Sequence, residues 1–294
     1  MYAYFLNHFG NKIKYLEYEM YFLCNLRKHT KYDIIYAYSE VDTPLAFLNT
    51  IKNMNLGIKF YKYNDNGITM NIKKKFKSVY TNFNTLRTCN FMFAYLLTQY
   101  KKVCLLESDM YILKNIDDIF NLKTPSVHNS TYVKYSFTKE HNYTSNYEII
   151  NDSDVDYKTT KSPINGGVML LKPSKTQFNK CLEMMSHIIT REYDFPNETL
   201  FVLTNKKYYN LPIKYNFTHH FLKHGYYKFK DIRLIHYDFS TFKILDTTKE
   251  NYYKYNKDKK IKRYLAKKYY KDVYCKCKDN IILLLRILDN NKHK

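Results

Sequence analysis

The chain has 294 residues, 45% hydrophobic and 26% charged, with a formal net charge of +21. That is globular in composition and long enough for one large α/β domain or two small ones. Its 33 Tyr and 19 Phe against no Trp, with abundant Lys, Asn and Ile, are the mark of an A+T-rich coding sequence such as a parasite or large virus carries. Codon usage therefore accounts for much of the basic excess, and no specific nucleic-acid role is expected. No run reaches the length of a membrane span, no basic stretch precedes an apolar one at the N-terminus, and the six Cys form no zinc spacing. A cytoplasmic setting, the host's if the gene is viral, is the expectation.

Taken in order, the chain opens with a strand from Tyr2 to Leu6, closed by the turn-prone Asn7-His8-Phe9-Gly10-Asn11. Leu16, Met20, Leu23 and Leu26, spaced by four and three, predict a helix over 15–27. Asp33 to Tyr38 is the next strand, so the start is a βαβ unit with a right-handed crossover. A helix over 44–54, a strand over 58–63, turn chemistry at Asn64–Gly67 and a basic loop at Lys73–Lys77 follow. A helix over 84–99 leads into Val103–Leu106, an apolar run without polar alternation, which is the pattern of a strand buried on both faces.

Glu107 and Asp109 stand at the carboxyl end of that strand, where open α/β sheets bind ligands. Positions i and i+2 of an extended segment share a face, so both carboxylates can address one hard divalent cation, and that cation a diphosphate. The pair alone also fits a solvated turn or a helix cap. Asn115–Phe120 reads as a turn whose acids act as caps, and residues 127–161 as a long polar loop. Gly166 and Gly167 come directly before a second apolar run, where glycine lets backbone approach a ligand or take a positive φ. An amphipathic helix over 178–190, a strand over 232–237 containing His236, and a basic tail with the apolar stretch Ile281–Leu288 complete the chain.

Several of these stretches resemble the glycogenin-like, family 8 glycosyltransferases. Lys101–Phe120 (KKVCLLESDMYILKNIDDIF) is similar to the family's Asp-x-Asp strand and the turn after it, with Glu107 at the first Asp and Asp109 at the second. Ser162–Ser174 (SPINGGVMLLKPS) is similar to its Asn-(Ser/Ala)-Gly-Val segment, Leu211–Phe217 (LPIKYNF) to its Leu-Pro-x-x-Tyr-Asn segment, and Ile232–Tyr237 (IRLIHY) to the strand ending in its metal-binding His. The resemblance runs from about Tyr2 to Lys243. It implies a GT-A type, Rossmann-like α/β domain with a mixed central sheet over 1–248, nucleotide-binding over 1–120 and acceptor-binding over 121–248. A short basic helical extension over 249–294 would follow, suited to docking on the domain or on an anionic membrane surface.

The same resemblance implies a UDP-sugar donor, a Mn²⁺ or Mg²⁺ ion on Glu107, Asp109 and His236, and transfer of a hexose, with retention, to a hydroxyl of a glycan, protein or small molecule. Leu6, Asn7 and Tyr15 match positions that hold the uracil, Arg87 and Lys243 the cations on the diphosphate, and Asn165, Gly167 and Glu198 residues facing the sugar. The chain departs from the family in having Glu at 107, Thr85-Leu86-Arg87 for a Lys-Leu pair, Asn197-Glu198 for Asp-Gln, and no Gly, Pro or Trp around Lys243. Two other readings stay open: an inactive UDP-sugar-binding protein of the same fold, and a basic module for polyanions or membrane surfaces.

Overall fold

The computed structural model describes residues 1–8, 13–40, 43–64, 88–129, 149–151, 164–188, 196–218 and 232–236. Arg87, Lys243, the side chain of Tyr15 and the whole extension over 249–294 lie outside the described residues. The opening elements follow the periodicities: Tyr2–Asn7 (β1), Ile13–His29 (α1), Asp33–Ser39 (β2), Leu45–Asn53 (α2) and Ile58–Tyr63 (β3). Lys102–Leu106 (β4), Met110–Ile112 (β5), Ser126–Asn129 (β6), Ile149–Asn151 (β7) and Ile164–Leu171 (β8) come next. Lys175–Ile188 (α3), Pro196–Thr204 (α4), Lys207–Asn210 (β9), Phe217–Thr218 (β10) and Leu234–His236 (β11) close the described part.

An eight-stranded sheet has the order β3-β2-β1-β4-β8-β6-β9-β7, and a three-stranded sheet the order β10-β11-β5. β1 to β4 run parallel, while β8 lies antiparallel to both β4 and β6, which makes the large sheet mixed as expected. Both of its faces are buried. Tyr4, Leu6, Ile34, Tyr36, Cys104 and Leu106 pack into a first core with α1 and α2. The alternate residues Ala3, Phe5, Ile35, Ala37, Val103 and Leu105 pack into a second core with residues 89–97, α3 and α4. The unbroken apolar runs of β1, β2 and β4 are what two-sided burial demands.

Three sequence expectations change. The helix expected over 84–99 is, in its described part, a 3-10 run at Thr88–Leu96. Cys89 and Phe91 to Tyr95 are all at most 4% exposed, and with no polar face the packing rather than intrinsic propensity sets the local winding. The loop expected over 127–161 contributes β6 and β7 to the sheet. The acids of the turn after β5 do more than cap: the Asp117 carboxylate accepts from Tyr4 Oη at 3.0 Å, Thr30 Oγ1 at 2.5 Å and Lys31 N at 3.3 Å. It thereby ties that turn to β1 and to the α1–β2 connection. No helix among the described residues is long and apolar enough to cross a membrane.

Candidate metal centre

β1 lies between β2 and β4, so the chain reverses its direction of travel across the sheet at the carboxyl ends of β1 and β4, the crevice where such sheets take ligands. Glu107 is the first residue after β4, and its N–H donates to Gly167 O at 3.0 Å. Two residues later Asp109 hands the chain to β5, which leaves the large sheet for the small one. β5 pairs antiparallel with β11, and the register puts Met110 opposite His236. Register alone thus brings a histidine 127 positions away beside the acidic pair.

His236 Nε2 lies 3.4 Å from Glu107 Oε2 and 3.4 Å from Asp109 Oδ1. One ligand atom from each of the three residues falls within 4.8 Å of the others, the one such cluster found among the described residues. Burial by itself would keep the imidazole neutral, but the charge of Asp109 and then of Glu107 outweighs it and pushes His236 up to about 10. Burial also raises Asp109 above the usual carboxylate range, with His236 offsetting only part of the effect. A proton and a divalent cation therefore compete for the same groups. The donor set, two carboxylate oxygens and one imidazole nitrogen, fits Mn²⁺ or Mg²⁺ and is smaller than either ion's full shell, leaving the remainder to phosphate or water oxygens.

Polar side chains hold this arrangement from behind. Asn25, on the inner face of α1, donates from Nδ2 to Ile112 O at 3.1 Å and accepts from Ile112 N at 2.7 Å, pairing with the free edge of β5 as a strand would. His236 Nδ1 is 3.2 Å from Asn165 Oδ1 and 3.0 Å from Asn216 Oδ1. Gly166 and Gly167 lie inside β8 rather than ahead of it, and among the described residues the glycine with positive φ is Gly57, at 61°. Close approach is what requires glycine at 167, where a Cβ would stand 2.6 Å from His236 Nδ1 and 2.7 Å from Met110 Cε.

β8 is also irregular here. Val127 pairs with Met169 and the next residue, His128, with Asn165, so Gly166, Gly167 and Val168 bulge out of the pairing with β6. Val168 and Leu170 face the first core, and Ile164 would share their side in a regular strand, yet Ile164 packs in the second core beside Met169. The bulge inverts the alternation, and with it Asn165 turns to the face that carries His236.

The remaining predicted positions fall as follows. Leu6 is a core residue, 2% exposed, and Asn7 ends β1 at the crevice. Glu198, 8% exposed at the start of α4, accepts from Gly166 N at 2.7 Å, so the Gly-Gly and Asn-Glu pairs meet although 32 residues apart. Asn165 Oδ1 is directed at Gly167 N–H and His236. Sequence reasoning did not single out the buried group beneath β1, in which Glu19 Oε2 lies 2.7 Å from His8 Nδ1 and accepts from Tyr36 Oη at 2.6 Å. The signal was there: Glu19 and Asn25 interrupt the apolar stripe of α1, and a polar residue on a core face has a polar partner.

No known protein-family profile matches the chain. An uncharacterised protein of Acanthamoeba polyphaga mimivirus, R707, is 26% identical over 247 residues, 81% of each chain. Among solved structures, the galactosyltransferase LgtC, in complex with donor and acceptor sugar analogues, is similar over 81% of this chain and 87% of its own, with a TM-score of 0.51 and 13% identity. The glycosyltransferase GlyE of Streptococcus pneumoniae TIGR4 is similar over 98% of this chain and 63% of its own, with a TM-score of 0.54 and 14% identity. The bifunctional glycosyltransferase WbbM, with a TM-score of 0.51 and 13% identity, is matched over 80% of this chain, which spans less than half of WbbM, 45%. The mixed α/β sheet, its switch point and these likenesses agree on one architecture: the chain has the GT-A glycosyltransferase fold.

Proposed function

We propose that the chain is a metal-dependent glycosyltransferase that moves a hexose from a UDP-sugar to an acceptor hydroxyl with retention at the anomeric carbon. The observation that carries this reading is the convergence of Glu107, Asp109 and His236 at the switch point of a GT-A sheet. Their three donor atoms would hold Mn²⁺ or Mg²⁺, which when bound supplies positive charge to the diphosphate of the donor and of the departing UDP. Asn7, at the end of β1, would border the nucleotide, and Asn165, Gly167 and Glu198 would face the sugar. Arg87 and Lys243, which lie outside the described residues, are the cations that the family resemblance assigns to the diphosphate. In the transfer the bond from anomeric carbon to phosphate oxygen breaks, the bond to the acceptor oxygen forms on the same face, and the acceptor's proton passes to the leaving phosphate. An oxocarbenium-like sugar in between needs no protein nucleophile.

One observation favours the runner-up, a protein that binds UDP-sugar without turnover: the Glu198 carboxylate is engaged by the Gly166 N–H. A single experiment separates the two. UDP release is measured over a panel of UDP-sugars with Mn²⁺ or with EDTA, for the wild type and for Asp109→Asn. The transferase gives a signal for one sugar that needs the metal and is lost in Asp109→Asn, by more than the roughly 10–100-fold that changes behind a metal shell cost. UDP binding with no release for any sugar, with candidate acceptors present, overturns it in favour of the runner-up.

A further inference from the structure

Within the metal-dependent reading, on which it rests, we propose that Asn216 is a positioning residue that locks His236 into the tautomer presenting Nε2 to the cation, and so supports Mn²⁺ binding more than Mg²⁺ binding. The argument starts from a group whose role is beyond choice, the backbone N–H of Gly167, which can only donate. It lies 3.1 Å from Asn165 Oδ1, so that atom is the oxygen of its carboxamide. Asn216 Nδ2 is 2.8 Å from this oxygen and 3.3 Å from Asn165 O, facing two acceptors, so it is the amide nitrogen. The other arm of Asn216, Oδ1, is then an acceptor 3.0 Å from His236 Nδ1. With Asn165 Oδ1 at 3.2 Å as well, Nδ1 faces two oxygens and carries its hydrogen. When a cation displaces the second proton, the lone pair that binds it is the one on Nε2, the nitrogen aimed at Glu107 and Asp109.

Asn216 itself touches neither carboxylate in this network. It is 0% exposed, and a carboxamide buried to that degree is stabilised only through its hydrogen bonds. Partners of this kind on the far nitrogen fix both tautomer and ring orientation of a metal-binding histidine. Imidazole matters unequally to the two ions. Mg²⁺ prefers oxygen and keeps its water, whereas Mn²⁺ accepts a nitrogen readily. A histidine released from its lock therefore costs Mn²⁺ more than Mg²⁺.

The test is calorimetric titration of the full chain with Mn²⁺ and with Mg²⁺, each alone and with UDP, for the wild type, Asn216→Leu and Asn216→Asp. The Leu variant should lose about 10–100-fold in Mn²⁺ affinity and much less for Mg²⁺, collapsing the ratio. The Asp variant keeps an acceptor on Nδ1 and should keep the ratio even where its Tm falls, an outcome that a purely structural role for Asn216 does not give. An unchanged ratio in the Leu variant overturns the proposal and leaves the metal site standing. A wild type that binds neither ion, with or without UDP, overturns the metal-dependent reading and the proposal together. Should the Leu variant fail to fold, ¹⁵N-histidine spectra of the wild type loaded with diamagnetic Cd²⁺ decide the matter, with His236→Gln identifying the signal among the ten histidines. A hydrogen on Nδ1 and metal on Nε2 is the expected result; metal on Nδ1 overturns it.

Discussion

In the eight-stranded sheet, successive residues of β1, β2 and β4 go to opposite cores, and aliphatic and aromatic side chains fill both. The three-stranded sheet has strands of at most three residues; Tyr111, Ile112, Phe217 and Leu234 anchor it in the first core, and polar groups add the bonds that orient it. Asn25 pins β5. The Leu113 N–H donates to Arg233 O at 2.7 Å and the Arg233 N–H to Lys214 O at 2.9 Å, and Asn216 and Asn165 hold β11 through His236. Apolar burial is large but carries no direction, so it fixes a frame and tolerates exchange within it. Hydrogen bonds contribute less each, yet they fix where an atom points. The frame comes from the first, and the placement of Asp109 and His236 from the second.

The largest effect that would break or sharpen this division belongs to Gly167→Ala. Its added methyl meets the His236 ring and Met110, so Mn²⁺ affinity measured by calorimetry should fall at least as far as the roughly 10–100-fold expected behind a metal shell. Leu105→Ala, in the second core at 5% exposure, should cost about 2–5 kcal/mol in denaturant unfolding while leaving Mn²⁺ affinity of the folded protein unchanged. If it weakens metal binding as Gly167→Ala does, frame and site are not separable.

His128, where the frame meets the site, gives a pH test. Burial holds its pKa down to about 4, against an ordinary 6.5, with a bond from Nδ1–H to Leu211 O at 3.3 Å partly opposing the shift. As pH falls the unfolded chain takes the proton first, so this contribution is complete above about 6.5 and is lost toward 4. It amounts to up to about 3 kcal/mol over that window. Thermal unfolding between pH 7 and 5 should show the slope in the wild type and a smaller one in His128→Gln. Asn25→Leu strands both Ile112 backbone groups, at about 1–3 kcal/mol each, a stability cost comparable with that of Leu105→Ala. By freeing β5 it should also weaken Mn²⁺ binding, where Leu105→Ala does not.

The same division governs how much the sequence makes legible. β1 to β4, α1 and α2 follow from apolar runs and spacings of three and four, because burial leaves a periodic imprint. Glu107 and Asp109 are legible from their place at a strand end. His236 could be joined to them only through a family resemblance, since the register of β5 against β11 leaves no periodicity to read. The work of Asn165, Asn216 and Asn25 is invisible by the same reasoning: a single carboxamide has no pattern, and its meaning lies in partners 20 to 87 positions away. The winding of Thr88–Leu96 escapes for another reason, since a stretch that is apolar but for Thr88 and the buried Asn90 marks no polar face for a period to follow.

The bulge of β8 sets a rule for how this region can change. Three residues of β8 stand opposite a single step of β6, and it is their odd number that turns Asn165 toward His236 and Ile164 toward the other side. Replacing Val168 with another small apolar residue would be absorbed locally. Adding or deleting one residue there would reverse the side faced by everything before it in the strand. Drift by substitution is open to this segment and drift in length is closed, so an insertion or deletion between Asn165 and Met169 would dismantle the candidate centre while sparing Glu107, Asp109 and His236 themselves.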